Sequence, residues 1–350
     1  MKKVISLFLL LAIILTFTSC KEKYKTRSRS LDGEYFDTVT IISTYKDKSD
    51  ENIEKYMKIA DEVLGYYHRL FDIYNGYDGI NNIKTINDNA GVSPVKVDKE
   101  LVDFLEYCKE LYALTGGKTN VMLGSVLQIW HGVREIADDN YGYLDPDLLP
   151  TEAQLTEAAR HTSIDLLVID KESSTVYISD PEASLDVGAI AKGYTVDILY
   201  ERLVAAGADS TVMNVGGNIR TIGLDEGGKK WKTAIRNPDL SSDESLKCRI
   251  EIGECSIVTS GDYERFFTTG FEDYHHVIDP DTLMPADYFS SVSIITQKSG
   301  LADALSTALF CMTYEEGLKL VRSIGGVEVI WIDKEYNLIS TDGIEILPLN

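Results

Sequence analysis

Asp303 and Thr307 stand four residues apart in Ala302-Asp303-Ala304-Leu305-Ser306-Thr307-Ala308, a spacing that places both on one face of a helix. Both are oxygen donors, the ligand type a hard Mg2+ ion prefers, and backbone carbonyls and phosphate oxygens can complete the octahedron. Taken alone, such a pair on an apolar helix is more often a cap and a packed hydroxyl. A second constellation is Leu185-Asp186-Val187-Gly188-Ala189-Ile190-Ala191-Lys192-Gly193. It reads as a strand ending in an acid, then a glycine turn that opens a helix. Free N–H groups at a helix start, with a Lys nearby, can hold a phosphate. On local sequence alone the commoner arrangement is a capping Asp with a surface Lys. Between the two lie Asn214-Val215-Gly216-Gly217-Asn218, Thr259-Ser260-Gly261-Asp262-Tyr263 and His275-His276-Val277-Ile278-Asp279-Pro280. Paired glycines allow close backbone approach to a ligand. His276 is a candidate general base because imidazole titrates near neutrality, although a lone His is by default a satisfied, half-buried ring.

Other motifs fall away. Gly117-Lys118-Thr119 lacks the Gly that a P-loop needs five residues earlier, where the chain has Tyr112, and follows a helical pattern in place of a strand. No Gly-x-Gly-x-x-Gly opens a helix, which leaves a Rossmann dinucleotide site unsupported.

The elements that must position these residues are legible from periodicity. Phe36 to Tyr45 is rich in Val, Ile and Thr and reads as a strand. Asp50 opens a long helix with Ile53, Tyr56, Met57, Ala60, Val63, Tyr67, Leu70, Phe71 and Tyr74 on one stripe. A helix is expected from Asp98 to Thr115, a surface loop from Asp138 to Pro150, and strands at Asp165 to Ile169 and Thr175 to Ile178. A helix from about Ala189 to Ala206 precedes short strands between Thr211 and Val258, with further strands at His276 to Ile278 and Val292 to Ile295. Helices over Leu301 to Cys311 and Tyr314 to Ile324 and two closing strands complete the chain. With no repeating beta-alpha-beta period, the class is α+β: mixed sheets with flanking helices, and no internal repeat.

The five segments together resemble ApbE-type FAD:protein FMN transferases. Their signature order is Asp-x-Gly-x-Ile-Ala-Lys-Gly, Asn-x-Gly-Gly, Thr-Ser-Gly-x-Tyr, His-x-x-Asp-Pro and Ala-Asp-x-x-x-Thr, and all five stand here in order between residues 186 and 307. Weaker echoes at Phe36-Asp37-Thr38, Phe71 to Tyr74, Asn87, Thr115 to Asn120, Trp130 and Trp231 to Pro238 extend the match over nearly the whole chain after residue 35. Phe36-Asp37-Thr38 replaces the family's usual Met-Gly-Thr, and Lys118-Thr119-Asn120 its usual Ala-Phe-Asp; both regions contact the flavin in the family. Thr282-Leu283-Met284-Pro285 stands for Thr-Gly-x-Pro.

The resemblance implies that FAD is bound and its pyrophosphate split, with FMN passed to a Thr or Ser hydroxyl of an acceptor protein and AMP released. It implies Mg2+ on Asp303, Thr307 and the Ala189 carbonyl, and His276 and Lys192 as catalytic residues. His276 would take the hydroxyl proton, and Lys192 would bind a phosphate oxygen. Flavin or nucleotide contacts fall to Phe36, Tyr74, Lys118, Thr119 and Asn120, and further to Asp186, Lys192, His276 and Ile278. Tyr74 would stack on a ring of FAD. Acceptors would be membrane-associated redox proteins. Two alternatives stay open: an FAD pyrophosphatase giving free FMN and AMP, and a non-catalytic flavin-binding lipoprotein.

Composition bounds the rest. The 350 residues carry 56 Asp and Glu against 34 Lys and Arg, a formal charge of -22, which disfavours nucleic acid as a partner. Lys2 and Lys3, the uncharged run Val4 to Leu15 and Thr16-Phe17-Thr18-Ser19-Cys20 read as a signal peptide over residues 1–19 ending at a lipoprotein-type Cys20. The same residues also suit an ordinary secretory signal with a chance Cys. Residues 20–35 are expected as the lipidated Cys and a basic tether, with Lys21, Lys23, Lys25, Arg27 and Arg29, ahead of a flavin transferase domain over 36–350. The protein would then be exported and anchored by lipid at the outer face of the cytoplasmic membrane, or at a periplasm-facing membrane. Of the remaining thiols, Cys108 and Cys311 read as buried, while Cys248 and Cys255 flank a hairpin pattern that would let them pair.

Overall fold

The computed structural model describes residues 26–45 and 50–349. The expected signal peptide, Cys20, Lys21, Lys23 and Lys25 lie outside these residues. Helices run over Asp50–Phe71 (α1), Ile83–Asp88 (α2), Lys99–Leu114 (α3), Gly124–Asp139 (α4), Glu152–Ala159 (α5), Gly188–Ala205 (α6), Ser299–Phe310 (α7) and Tyr314–Ile324 (α8). An eight-stranded sheet orders Arg27–Tyr35, Thr38–Thr44, Thr211–Val215, Asn218–Ile222, Ser256–Gly261, Ser291–Thr296, Glu328–Ile332 and Leu338–Ser340 from edge to edge. Every neighbouring pair in it is antiparallel.

The central strands are apolar on both faces because both faces are covered, and the two-residue period of a strand sorts their side chains. Val329, Trp331, Val292 and Ile294 face one way, into a core shared with α7. Ile330, Ile332, Ile257 and Ile295 face the other way, onto the small sheet that contains Trp231–Arg236 and Leu246–Ile252. On the helical side α1, α6 and α7 form one layer, which buries Ile53, Leu64, Leu70, Ile190, Leu199 and Ala304 completely. α4 sits apart, packing Val126, Trp130 and Val133 against Phe267 of the hairpin Phe266–Thr268/Asp273–His275.

Most elements match the periodicity, and the differences have physical causes. Arg27 and Arg29 are not part of a tether: they lie in the edge strand Arg27–Tyr35, with Arg27 Nε 3.0 Å from Asp50 Oδ1 and Arg29 Nε 3.0 Å from Glu54 Oε1. Leu185 is not in a strand; this stretch is irregular backbone held by Asp186 N–H donating to the Val121 carbonyl at 2.8 Å. The strand expected at His276–Ile278 stops at His275, and Ile278 keeps only a single bridge to Pro285. α4 fills what the sequence left without a helix. Its start has Leu123 at the cap with no side-chain hydrogen bond, so the usual sequence mark of a helix N-terminus is missing. Cys248 and Cys255 are free buried thiols and do not pair.

Candidate active site

Two tight turns fix one end of the sheet. Phe36 and Asp37 have φ of 54° and 51°, the left-handed pair that a two-residue hairpin between Tyr35 and Thr38 requires. Beside it Gly216, at φ 55°, lies so close to Thr38 that a Cβ there would stand 2.3 Å from the Thr38 hydroxyl oxygen. The Phe36 N–H donates to His68 Nδ1 at 3.2 Å, and its ring meets the His68 imidazole edge-on. Gly217 N–H donates to Asn214 Oδ1 at 2.9 Å, so the Asn-x-Gly-Gly motif is itself a turn device.

The α6–α7 contact brings the acid, the Lys and the hydroxyl together. Asp197 on α6 accepts the Ser299 and Gly300 N–H groups, each at 2.9 Å, and so caps α7 from a neighbouring helix. Gly193 permits the close crossing, since a Cβ there would stand 2.3 Å from the Ser299 carbonyl oxygen and 2.7 Å from the Asp303 Cβ. The Gly193 N–H, whose partner in a regular helix is the Ala189 carbonyl, donates to Asp303 Oδ2 at 2.8 Å. A carbonyl oxygen has two lone pairs, so the Ala189 carbonyl keeps acceptor capacity beside any helical bond. Lys192 Nζ stands 4.0 Å from Asp303 Oδ1, beyond hydrogen-bond reach. Burial pushes the Asp303 carboxyl above its ordinary pKa, opposed by the Lys192 charge and the Gly193 N–H. The Thr307 side chain, one turn further along α7, makes no hydrogen bond to another described residue. Ser260 donates to Ser306 Oγ at 2.8 Å, and Ser306 to the Asp303 carbonyl at 2.8 Å, which pins α7 to the sheet.

This donor set fits Mg2+: a buried carboxylate oxygen with only a distant cation, an unengaged hydroxyl and a carbonyl with spare capacity. Among the described residues no three His, Cys, Asp or Glu side chains cluster as a metal cage. A small, hard ion that keeps several positions for substrate phosphates needs no such cage.

The two adjacent histidines divide their roles by hydrogen bonding. His275 Nε2 lies 2.8 Å from the Ala286 carbonyl oxygen and its Nδ1 accepts the Val277 N–H at 3.2 Å, so both nitrogens are engaged. His276 Nδ1 lies 3.0 Å from the Glu264 carbonyl oxygen. A carbonyl can only accept, so Nδ1 carries the proton and Nε2 presents a lone pair. Burial, then the Arg265 and His275 neighbours, push the His276 pKa down to about 3. His276 is therefore neutral and proton-accepting at physiological pH.

Other expected residues are placed as follows. Asp186 accepts the Gly188 N–H at 3.0 Å through Oδ1, a local turn bond just before α6, whose cap position is Val187, while Oδ2 lies 3.8 Å from His131 Nε2. The Tyr74 hydroxyl lies 3.3 Å from His131 Nδ1, and Tyr74 is 56% exposed, leaving ring surface for stacking. Lys118 is claimed by acids of the His-x-x-Asp-Pro segment, at 2.8 Å from Asp279 and 2.9 Å from Asp281. Burial works against its charge, but these two partners prevail and hold its pKa above the ordinary value. Thr119 is buried and donates to the Ala304 carbonyl at 2.7 Å, while Asn120 donates to the Thr162 carbonyl and accepts from Met122 N–H. Ile278 is buried in the α4 cluster. For Thr119, Asn120 and Ile278 the side chains hold the scaffold, and what they can turn to a ligand is backbone.

His131, Arg134 and Arg265 escaped the sequence reading. His131 and Arg134 share a face of α4 with Leu127 and Trp130, a spacing that speaks only once the helix is recognised. Together with His276, Arg265 and the Tyr274 ring they line a crevice between α4 and the hairpin.

Comparison with known proteins agrees with the signature. The sequence profile of the ApbE family matches residues 36–331. A FAD:protein FMN transferase of Treponema pallidum is 34% identical over 75% of this chain and 73% of its own length. One of Haemophilus influenzae is 27% identical over 91% and 90%. Among solved structures, the flavin transferase ApbE from Vibrio cholerae superposes with a TM-score of 0.73 at 25% identity, covering 91% of this chain and 97% of that one. The ApbE protein of Thermotoga maritima shares the fold at a TM-score of 0.74 and 24% identity, over 90% and 97%. With the five-motif order, the Asp303–Gly193 crossing and a match over most of its length, this chain belongs to the ApbE family.

Proposed function

We propose that the protein transfers FMN from FAD to a Thr or Ser hydroxyl of an acceptor protein and releases AMP. The observation that carries this is the division between the two histidines, which leaves His276 Nε2 without a hydrogen bond to a described residue, near enough to Lys192 to feel its charge. His276 Nε2 takes the proton of the acceptor hydroxyl as its oxygen bonds to the phosphorus next to riboflavin. The phosphorus–oxygen bond to the AMP half breaks, and AMP leaves with the electron pair. A positioned base of this kind is worth roughly 100- to 10,000-fold in rate. Lys192 binds a phosphate oxygen, and Tyr74 offers its exposed ring to FAD. Asp303, Thr307 and the Ala189 carbonyl would hold Mg2+, which supplies charge neutralisation at the pyrophosphate.

The partners follow from the same reading. Acceptors are membrane-associated redox proteins, and the chain itself is exported and anchored through lipid on Cys20 at the outer face of the cytoplasmic membrane. This rests on the basic, apolar and small-residue order of residues 2–20. Among the described residues no helix is long and apolar enough to cross a membrane.

Hydrolysis of FAD by the same site differs only in that water replaces the acceptor hydroxyl. AMP release from FAD and Mg2+, followed with and without an acceptor protein, separates the readings. Transfer predicts AMP production that rises with acceptor concentration. Acceptor-independent AMP release would favour the pyrophosphatase, and bound FAD with no AMP the flavin-binding lipoprotein.

A further inference from the structure

We propose that His131 is a positioning residue for FAD: it tethers the Tyr74 ring beside the turn that carries Asp186, so that the stacking face is set before the dinucleotide arrives. This rests on the flavin-transfer reading above. Three segments far apart in sequence meet at this imidazole. Tyr74 belongs to the stretch that leaves α1, His131 to α4, and Asp186 to the turn ahead of α6. The Tyr74 hydroxyl lies 3.3 Å from His131 Nδ1, and Asp186 Oδ2 lies 3.8 Å from His131 Nε2. The second distance is too long for a hydrogen bond, but it decides which nitrogen carries the proton. An ionised carboxylate only accepts and repels a lone pair turned toward it, so Nε2 bears the hydrogen. Nδ1 is then the acceptor and the Tyr74 hydroxyl the donor. The charge states agree. Burial pushes the His131 pKa down, and Asp186, the strongest opposing influence, does not restore it. Burial and then the Asp186 charge push the Tyr74 hydroxyl up, so it keeps the proton that it donates.

The frame that carries His131 is rigid. Gln128, on the same helix, donates to Ser184 Oγ at 3.1 Å, and Trp130 Nε1 donates to the Leu283 carbonyl at 2.9 Å. Asp186 N–H donates to the Val121 carbonyl at 2.8 Å, just ahead of α4, and Asp186 Oδ1 is taken by the Gly188 N–H. Tyr74 is anchored at its other end, where its backbone N–H donates to Asp72 Oδ1 at 2.7 Å. Held at backbone and hydroxyl, the ring still stands 56% exposed. Fixing an exposed ring costs side-chain freedom, and a single hydrogen bond at the surface returns little of it to the fold. The arrangement gains its effect when a planar ligand stacks on the ring, because the ring no longer has to be ordered on binding. The Asp37 charge also bears on the Tyr74 hydroxyl, which sets the ring near the Phe36–Asp37 turn as well as near the start of α6.

The test measures FAD affinity, with Mg2+ withheld so that no cleavage follows, in the full chain and in His131→Leu, Tyr74→Phe, the double variant and His131→Asn. Circular dichroism verifies folding. Tyr74→Phe keeps the ring and removes only the hydroxyl, while His131→Asn keeps an acceptor in place of Nδ1. The tether predicts that His131→Leu and Tyr74→Phe each weaken FAD binding about 3- to 10-fold, the scale of one hydrogen bond. It also predicts that the double variant stays within about twofold of either single variant, and that His131→Asn recovers most of the loss. A merely structural His131 would not make its effect depend on one Tyr74 hydroxyl. Binding within about twofold of wild type in a folded His131→Leu, or losses that multiply in the double variant, would overturn it. A second readout needs no ligand: 15N spectra of histidine-labelled protein near neutral pH should show His131 with its hydrogen on Nε2, and a hydrogen on Nδ1 would overturn the assigned donor. If Tyr74→Phe perturbs that His131 signal while wild type binds no FAD with or without Mg2+, the Tyr74–His131 tether stands and the flavin-transfer reading falls.

Discussion

Asp303 is the residue on which the proposed Mg2+ site turns. It is buried, accepts the Gly193 N–H, has the Asn218 side chain beside it as a further donor and keeps Lys192 at 4.0 Å. Replacing it by Asn removes a charge that is costly to bury, so Asp303→Asn is expected to fold with a melting temperature near or above that of the parent while FAD cleavage drops at least ~100-fold. Paired thermal melts and AMP assays check this; a variant that retains full Mg2+-dependent activity would remove Asp303 from the metal site. His276 supports a pH argument whose sign is fixed by its environment. The unfolded chain binds a proton at this imidazole below about pH 6.5. The folded chain does so only near about 3. Protonation thus favours unfolding in that window, and the stability contributed by neutral His276 is complete above pH ~6.5 and lost as pH falls. His276→Gln should therefore lose less stability between pH 7 and pH 4 than wild type in urea denaturation, while its transfer rate at pH 7 falls 100-fold or more. An identical acid dependence in the two proteins would contradict the assigned burial.

At the scale of elements, the site is made where α6 crosses α7, and the crossing depends on Gly193 having no side chain. Gly193→Ala puts a methyl against the Ser299 carbonyl and the Asp303 Cβ. The expected cost is about 1–3 kcal/mol, read as a lowered urea midpoint, with weaker metal-dependent activity because Asp303 shifts with α7. The sequence announced this pair of helices well: residues 189–206 and 301–311 are legible as helices, and the motif order places Lys192, Asp303 and Thr307 on them, with Asp186 at the turn before the first. What stayed hidden arises from tertiary placement. Nothing local says that Asp197 caps a helix 102 residues further on, or that Thr119 and Asn120 spend their side chains on Ala304 and Thr162. α4 lacked a side-chain cap, and with it His131 and Arg134 lost the helical context that makes them neighbours.

For the whole molecule, the opening charge of -22 becomes a condition on the site. A surface so acidic repels anionic FAD from most directions, so the proposed site needs a local cation, and Lys192 beside Asp303 is the one that the α6–α7 crossing supplies. The fold also accounts for the thiols. Cys108, Cys248, Cys255 and Cys311 are free and buried, Cys108 and Cys311 in separate core clusters and Cys248 and Cys255 together in a third, and burial pushes the Cys255 thiol up to about 11. A thiol reagent should find none of the four in the native protein and all four after unfolding, and reductant should leave the melting temperature unchanged. Rapid labelling of Cys248 or Cys255 in the native state would contradict their placement. The central claim is that phosphorus passes from FAD to a protein hydroxyl, and intact-mass measurement of an acceptor after incubation with the enzyme, FAD and Mg2+ tests it most directly. The account predicts a mass gain equal to one FMN on a Thr or Ser of the acceptor, with one AMP released per FMN added and no gain for His276→Gln. An unmodified acceptor alongside free FMN and AMP, or alongside uncleaved FAD, would contradict it.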